Sequence, residues 1–303
     1  MKKLLLIDGN AMMHRAYHAL PPLTNTKGEP VNAVYGFFSM LLNVIVDQEP
    51  THLVVCFDTG APRIRESMFA GYHAHRQALP DDFVPQIELI HELLAKMKVA
   101  VFELDGYEGD DLIGTIADKA VTRSKSKGQS LDVVILTGDR DLLQLVNGHV
   151  QVLMPLVGIT KTVMFDAKAV EEKYGVTPSQ FIDYKALIGD PSDGYPGVTG
   201  IGPKTAASLL QKFHTFENLY KNIGEVPEKV GLKLATDAEQ AALAKKLATI
   251  ILDAPIQFDL PACAVANFDA KALLAGFKEQ GFKNLTARYE TVFGKPEEQL
   301  GLL

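Results

Sequence analysis

The chain has 303 residues and carries 37 acidic and 30 basic side chains, for a formal net charge of −7. Hydrophobic residues make up 47% and charged residues 22%, as expected of a globular chain that buries a substantial core. No apolar run reaches the ~18 residues of a membrane helix, and the two cysteines, Cys56 and Cys263, form neither a metal-site spacing nor a disulfide framework, which suits a reducing cytoplasm.

In chain order, the apolar run Leu4–Ile7 is broken by Asp8 and Asn10. It is too short for the core of a signal peptide and reads as a first buried strand, Leu4–Asp8. Further aliphatic runs at His52–Asp58, Val99–Asp105 and Asp132–Asp139 read as buried parallel strands. Amphipathic helical stretches near Val31–Val46, Phe83–Met97 and Asp110–Thr122 lie between them. This alternation predicts an α/β unit around a mostly parallel sheet flanked by helices. Val150–Leu156 and Lys161–Phe165 read as two more strands joined by a hairpin at Val157–Thr160, and Arg123–Ser130 as a polar loop. From about Thr177 helices alternate with Gly/Pro loops: Pro178 to about Leu187, a glycine-rich loop Gly189–Gly202, Pro203 to about Phe213, Asp237–Leu252 and Asp269–Phe282. The expected divisions are an α/β core at 1–176, a helical subdomain at 177–262 and a C-terminal helical segment at 263–303 packing on the core.

The segment Ala61–Asp82 follows a strand, where a connection of ~2–6 residues is usual. It is a long insertion containing Arg63, Arg65, Tyr72, His73, His75 and Arg76, either a functional lid over the sheet or a solvated surface excursion.

Strands ending in aspartate recur: Asp8 closes the first, Asp58 the second and Asp139 the fourth. In an open parallel sheet the ligand crevice lies beyond the carboxyl ends of the strands, so these acids share one rim. Taken singly, each reads more simply as a helix cap or turn residue, as Asp166 and Asp105 do. Local clusters reverse that reading. Glu108, Asp110 and Asp111 crowd one loop–helix junction, Asp139 and Asp141 are two apart, and Asp190 and Asp193 three apart. Converging like charges repel, and cations hold them together. Hard oxygen donors without a Cys/His set point to Mg²⁺ or Mn²⁺, and two such ions suit in-line attack on a phosphodiester. The net negative charge is no objection, because acids neutralised by metal leave a surface that can carry local basic patches.

The order and content of these motifs resemble the 5′ nuclease domain of bacterial DNA polymerase I and its free-standing bacterial and phage relatives in the flap endonuclease superfamily. The resemblance runs from Leu4 to about Tyr289. It rests on Leu-Leu-Ile-Asp-Gly-Asn, Val-Cys-Phe-Asp, Gly-Tyr-Glu-Gly-Asp-Asp, Ile-Leu-Thr-Gly-Asp-Arg-Asp and Gly-Asp-Pro-Ser-Asp-Gly-Tyr-Pro-Gly-Val-Thr-Gly-Ile-Gly-Pro-Lys-Thr-Ala. It implies a PIN-like nuclease core, a helical arch at 61–82 and a helix–three-turn–helix DNA-binding element. It also implies one metal site of Asp8, Asp58, Glu108 and Asp111, with Asp110 near both ions. A second site would comprise Asp139, Asp141, Asp190 and Asp193, some of them acting through water. The arch would supply Arg76, Arg65, His73 and Tyr72, the cations neutralising phosphate charge and Tyr72 either stacking on an unpaired base or packing within the arch.

The Gly194–Leu210 segment would grip the downstream duplex. Gly197, Gly200 and Gly202 would let backbone approach a phosphate, the helix starting at Pro203 would present its N–H groups, and Lys204 and Thr205 would add a charge and a hydroxyl. The resemblance also implies a potassium ion held by carbonyls here, from Val198 and Ile201. A dinucleotide fingerprint is excluded because Gly197–Gly202 does not follow a strand, and a P-loop because the adjacent Gly-Lys is missing. The chain departs from the family pattern at His73, where a lysine is usual, at Ile64, where Phe is usual, and at Gly109, Gly138 and Gly194, where Ala or Asn is common. A neutral imidazole offers a phosphate less than an ammonium ion does, so the departure at His73 bears on the arch and not on the metals.

The expected activity is 5′-3′ exonuclease and 5′-flap endonuclease cleavage in DNA replication and repair, leaving 5′ phosphate and 3′ hydroxyl. Substrates would be DNA with 5′ flaps, nicks or single-strand/duplex junctions, with an RNA primer in a hybrid and a DNA polymerase as further partners of a monomer in the nucleoid. Two other readings remain at this point. A non-catalytic module would bind branched DNA without cutting it. A small-molecule phosphohydrolase would use Asp8 as nucleophile, but it commonly wants a second Asp where Asn10 stands. The sequence leaves open whether the chain acts alone or as part of a polymerase.

Overall fold

A computed structural model describes residues 2–61, 63–74 and 78–294. Six strands form one sheet in the order β3-β2-β1-β4-β5-β6: β1 (Lys2–Asp8), β2 (His52–Cys56), β3 (Ala100–Phe102), β4 (Leu131–Leu136), β5 (Val150–Val157) and β6 (Lys161–Phe165). All pairings are parallel except β5 with β6, which form the expected hairpin through Gly158. The sheet is buried on both faces, so β1 is apolar at every position from Leu4 to Ile7, and alternate side chains enter different layers. Leu4 and Leu6 face α5 (Gly109–Ser126). Leu5 and Ile7 face α1 (Gly9–Ala19), α2 (Asn32–Gln48) and α4 (Val84–Lys96).

Helix α1 carries no separate signal in the residue pattern, because it starts with no loop after β1. Asp8 both ends the strand and caps the helix, accepting the Ala11 N–H at 2.9 Å. Gly9 is required at this junction, since a Cβ there would lie 2.1 Å from the Phe57 ring. The arch region contributes a short helix, α3 (Ile64–Met68), followed by turns to Ala74. Helix α5 runs through the first half of the segment expected as a loop at 123–130, to Ser126. Good helix formers there, Arg123 and Lys125, sit where a helix C-terminus favours cations.

The helical region follows α6 (Ala167–Tyr174), which Asp166 caps as expected. It contains α7 (Phe181–Ile188), a two-stranded ribbon of β7 (Gly189–Asp190) with β8 (Tyr195–Pro196), and α8 (Pro203–Phe213). Two helices not marked out by the sequence follow, α9 (Phe216–Lys221) and α10 (Glu228–Thr236). Then α11 (Ala238–Ala248) ends four residues before the expected Leu252. One apolar cluster runs without a break from β1 and α5 into Leu187, Ala206 and Leu210, so this region is seated on the sheet rather than hung from it. The last helices, α12 (Ala270–Glu279) and α13 (Lys283–Phe293), pack with α2 and α4 on the opposite layer.

Candidate active site

The carboxyl ends of β1, β2 and β4 open into a cavity of about 840 Å³. Among the described residues, Asp8, Asp58, Glu108, Asp110, Asp139, Asp141 and Asp193 all line it. The acids are oriented by the scaffold. Asp8 accepts from Thr137 Oγ1 at 2.6 Å, and Thr137 Oγ1 in turn accepts the Asp139 N–H at 2.8 Å. Asp58 Oδ1 takes the Gly109 N–H at 2.7 Å, and its own N–H is held by Asn10 at 2.9 Å. Asn10 is therefore a brace for Asp58, a job unrelated to the acid that an Asp8 nucleophile would want.

Burial raises these carboxyls, because water no longer solvates their charged forms. It pushes Asp8 up to about 7 against the hydrogen bonds from Thr137 and Ala11. It pushes Asp141 up to about 8, with Asp139 adding to the effect and Lys185 opposing it. Asp110, Asp139 and Glu108 are raised by burial as well. Asp190 is the exception: burial raises it, but Lys185 and Ser192 outweigh that effect and hold its carboxyl below the ordinary range.

Asp190 joins the second group. Oxygens of Asp141, Asp190 and Asp193 lie within 4.8 Å of one another, and Lys185 Nζ sits against Asp141 at 2.6 Å and against Asp190. The donor set is all oxygen, and Glu108 Oε1 is buried without accepting a hydrogen bond. These residues fit hard divalent cations, whose charge would relieve the repulsion among them.

Three residues, Asp111, Arg65 and Gly197, stand otherwise than expected, and for Tyr72 the second of its two alternatives is the one found. Asp111 does not face the cleft. It is 1% exposed, and its oxygens accept from Arg65 Nη1 and Nη2, the Ile251 N–H and the Glu108 N–H. Arg65 is likewise turned inward. Its guanidinium donates to Leu247 O, Glu108, both Asp111 oxygens and Thr249 O, which occupies all five N–H groups and leaves none for a phosphate. Tyr72 is 7% exposed, donates to Glu108 at 3.1 Å and packs beside Tyr195, so the packing role is the one seen and its ring is not open to a base. Gly197 is buried against the backbone of β7: a Cβ there would lie 2.3 Å from the Gly189 nitrogen, so its small size serves ribbon packing and not phosphate approach. Arg76 lies outside the described residues.

His73 lies between the two acidic groups. Its Nε2 is 3.0 Å from Asp193 Oδ1, its Nδ1 is 3.8 Å from Glu108 Oε1, and its ring stacks on Tyr72. The residue sits at φ 56°, and its N–H donates to Asp193 O. In the hairpin region Gly200, Gly202 and Lys204 are exposed and Thr205 is half-buried. Val198 O accepts the Ile201 N–H at 3.0 Å, and Gly200 O accepts Lys233 Nζ at 2.9 Å. Sequence reasoning passed over Asn10, Thr137 and Lys185 as site residues, and over Arg63, which salt-bridges Asp58 and Glu108. Asn10 and Thr137 each stand two residues from a named acid, Asp8 and Asp139, whereas Lys185 and Arg63 stand five residues from Asp190 and Asp58 and carried no comparable signal.

Residues 3–175 match the 5′-3′ exonuclease N-terminal, resolvase-like domain family, and residues 176–271 match the 5′-3′ exonuclease C-terminal SAM fold. DNA polymerase I of Bacillus caldotenax is 42% identical over 300 residues, covering 99% of this chain and 34% of that protein. DNA polymerase I of Bacillus subtilis is 41% identical over 288 residues, covering 95% of this chain and 32% of that protein. The chain thus spans about a third of the length of these relatives. Among solved structures, a T5 5′-exonuclease with bound zinc is similar at TM-score 0.68 and 17% identity, covering 97% of this chain and 99% of that one. The catalytic core of Rad2 with DNA substrate is similar at TM-score 0.60 and 15% identity, covering 96% and 92%. With two successive family domains spanning most of the sequence and a cleft of converging carboxylates at their junction, the chain belongs to the 5′-3′ exonuclease family.

Proposed function

We propose that the chain hydrolyses DNA phosphodiester bonds at 5′ flaps, nicks and single-strand/duplex junctions, as a Mg²⁺- or Mn²⁺-dependent exonuclease and flap endonuclease. The observation that carries this reading is the single cleft lined by seven carboxylates, with Asp190 completing the group beside Asp141 and Asp193. Asp8, Asp58, Glu108 and Asp110 would hold one ion, and Asp141, Asp190 and Asp193 another, with Asp139 between the groups. Bound ions would supply an activated water and neutralise charge at the leaving 3′ oxygen. The chain's own residues keep that geometry. Thr137 ties Asp8 to the β4 loop, Asn10 and the Gly109 N–H orient Asp58, and Arg65 and Tyr72 hold Glu108. At the far end of the cleft His14 and His91 rest on the buried rings of Phe83 and Phe57, and these imidazoles would be the ring faces open to an unpaired base. Gly200, Gly202, Lys204 and Thr205 at the start of α8 would take a phosphate of the duplex. A primer RNA in a hybrid and a DNA polymerase are proposed partners, a monomer in the cytoplasmic nucleoid the proposed setting, and K⁺ at the hairpin a proposed further ion.

The test is end-labelled 5′-flap, nicked and single-stranded DNA incubated with Mg²⁺ or EDTA. Mg²⁺-dependent products at or beside the junction are expected. Binding of the flap with no cleavage would favour the non-catalytic module.

A further inference from the structure

Within the nuclease reading, on which this inference rests, the phosphate-facing cation of the arch base needs identifying. Arg65 is ruled out by its five protein acceptors and its 6% side-chain exposure. Its neighbour two residues back has the opposite environment. Arg63 lines the cleft with 18% of its side chain exposed. Its only side-chain partners among the described residues are carboxylates: Asp58 Oδ2 at 3.1 Å, Glu108 Oε1 at 3.3 Å and Glu66 Oε1 at 2.9 Å. Its Nε is buried without a well-formed hydrogen bond. The backbone root is fixed, since the next residue donates its N–H to Gly106 O at 3.0 Å, so the side chain can change partner without the arch base moving.

We propose that Arg63 is a catalytic residue of this chain, a guanidinium that shares Asp58 and Glu108 with the bound metal and donates to the substrate phosphate in the cleft. The chemistry is competition for the same oxygens. Asp58 Oδ1 is already committed to the Gly109 N–H, so Oδ2 is the oxygen that Arg63 and a divalent ion both want. Where the carboxylates serve the ion, the guanidinium's donors need another acceptor. A phosphate offers two oxygens in the fork geometry that arginine matches.

This makes an unusual pair of expectations. Arg63→Ala should bind metal more tightly and cut more slowly. The experiment measures Mn²⁺ binding to the DNA-free full chain by electron paramagnetic resonance, and single-turnover cleavage of a 5′-flap DNA at saturating Mn²⁺. Removing the competing cation should strengthen Mn²⁺ binding roughly threefold to fivefold, the scale of a partly exposed ion pair. Losing the phosphate donor should slow cleavage on the order of 10²-fold. Arg63→Lys, which keeps the charge but not the fork, should fall between wild type and Arg63→Ala in both and guards against a variant that fails to fold. Weaker Mn²⁺ binding together with slower cleavage would make Arg63 a strut and overturn the proposal. So would tighter Mn²⁺ binding with cleavage within twofold of wild type, which would make it a counter-ion only. A wild-type chain that binds Mn²⁺ yet cuts no flap would overturn the nuclease reading, and this proposal with it.

Discussion

The floor of the cleft and the base of the arch hold their functional groups in different ways. On the floor, Asp8, Asp58 and Asp139 sit at strand ends and are oriented by N–H groups, Thr137 and Asn10, all on elements rooted in the sheet. At the arch base, Arg63, Arg65, Tyr72 and His73 come from one short helix and a series of turns, and side-chain contacts to acids fix them. The floor is built before any ligand arrives, whereas the arch base takes its shape from the same carboxylates that the proposed chemistry would use. A substitution on the floor should therefore damage chemistry with little loss of fold, and one at the arch base should do both.

The largest effect expected is from Asp139→Ala, which should lower single-turnover flap cleavage on the order of 10³-fold or more. Flap binding measured in Ca²⁺ should survive. Turnover near wild type would remove the floor from the chemistry. Next is Arg65→Ala, which leaves Asp111 buried without its counter-ion, held only by the Ile251 and Glu108 N–H groups. It should cost roughly 3–5 kcal/mol in denaturant unfolding, and Arg65→Lys should recover little because an ammonium ion cannot fill five acceptors. A stability change below 1 kcal/mol would mean that the arch base is not locked in this way.

Gly194→Ala probes the seam between the two regions. Gly194 has φ 82°, and a Cβ there would lie 2.6 Å from Gly71 O. A loss of about 1–2 kcal/mol is expected from the left-handed backbone alone, with cleavage falling further as His73 shifts from Asp193.

The raised carboxyls set the pH dependence without metal. Asp8 at about 7 and Asp141 at about 8 bind protons more tightly in the folded chain than an ordinary aspartate does at 3.8. Their stabilising contribution is full below that value and is lost as pH climbs through 7 and 8. The melting temperature in EDTA should therefore fall from pH 5 to pH 8.5, by roughly 2–4 °C for each kcal/mol lost. Mg²⁺ should restore most of it at the upper end. A flat profile in EDTA would contradict the burial of these acids. The smallest effect is expected from Lys204→Ala, remote from both regions, which should reduce the salt slope of duplex binding by about 1 and leave the cleavage rate of bound substrate unchanged.

Much of this was readable from residue order. β6 and α8 fall where expected to the residue, and the α/β rhythm predicted the sheet. Helices α9 and α10 are six and nine residues long and had no apolar period strong enough to separate them from loop. Helix α1 was hidden because its cap is the last residue of a strand.

The sequence alone determined that Asp8, Asp58 and Asp139 meet. Parallel strands bring their carboxyl ends to one rim whatever the loops do. It also determined that the acids are too many and too close for capping alone to account for them, even though Asp8 does cap α1. It could not separate neighbours. Asp110 and Asp111 start the same helix, where successive residues point about 100° apart. One lines the cleft and the other is clasped by Arg65. Arg63 and Arg65 flank the start of α3, one in the cleft and one under it. Which member of each pair faces the cleft depends on how the helix is rotated against its surroundings. That rotation is set by distant acceptors, Leu247 O and Thr249 O at the end of α11, which only the tertiary structure brings to it.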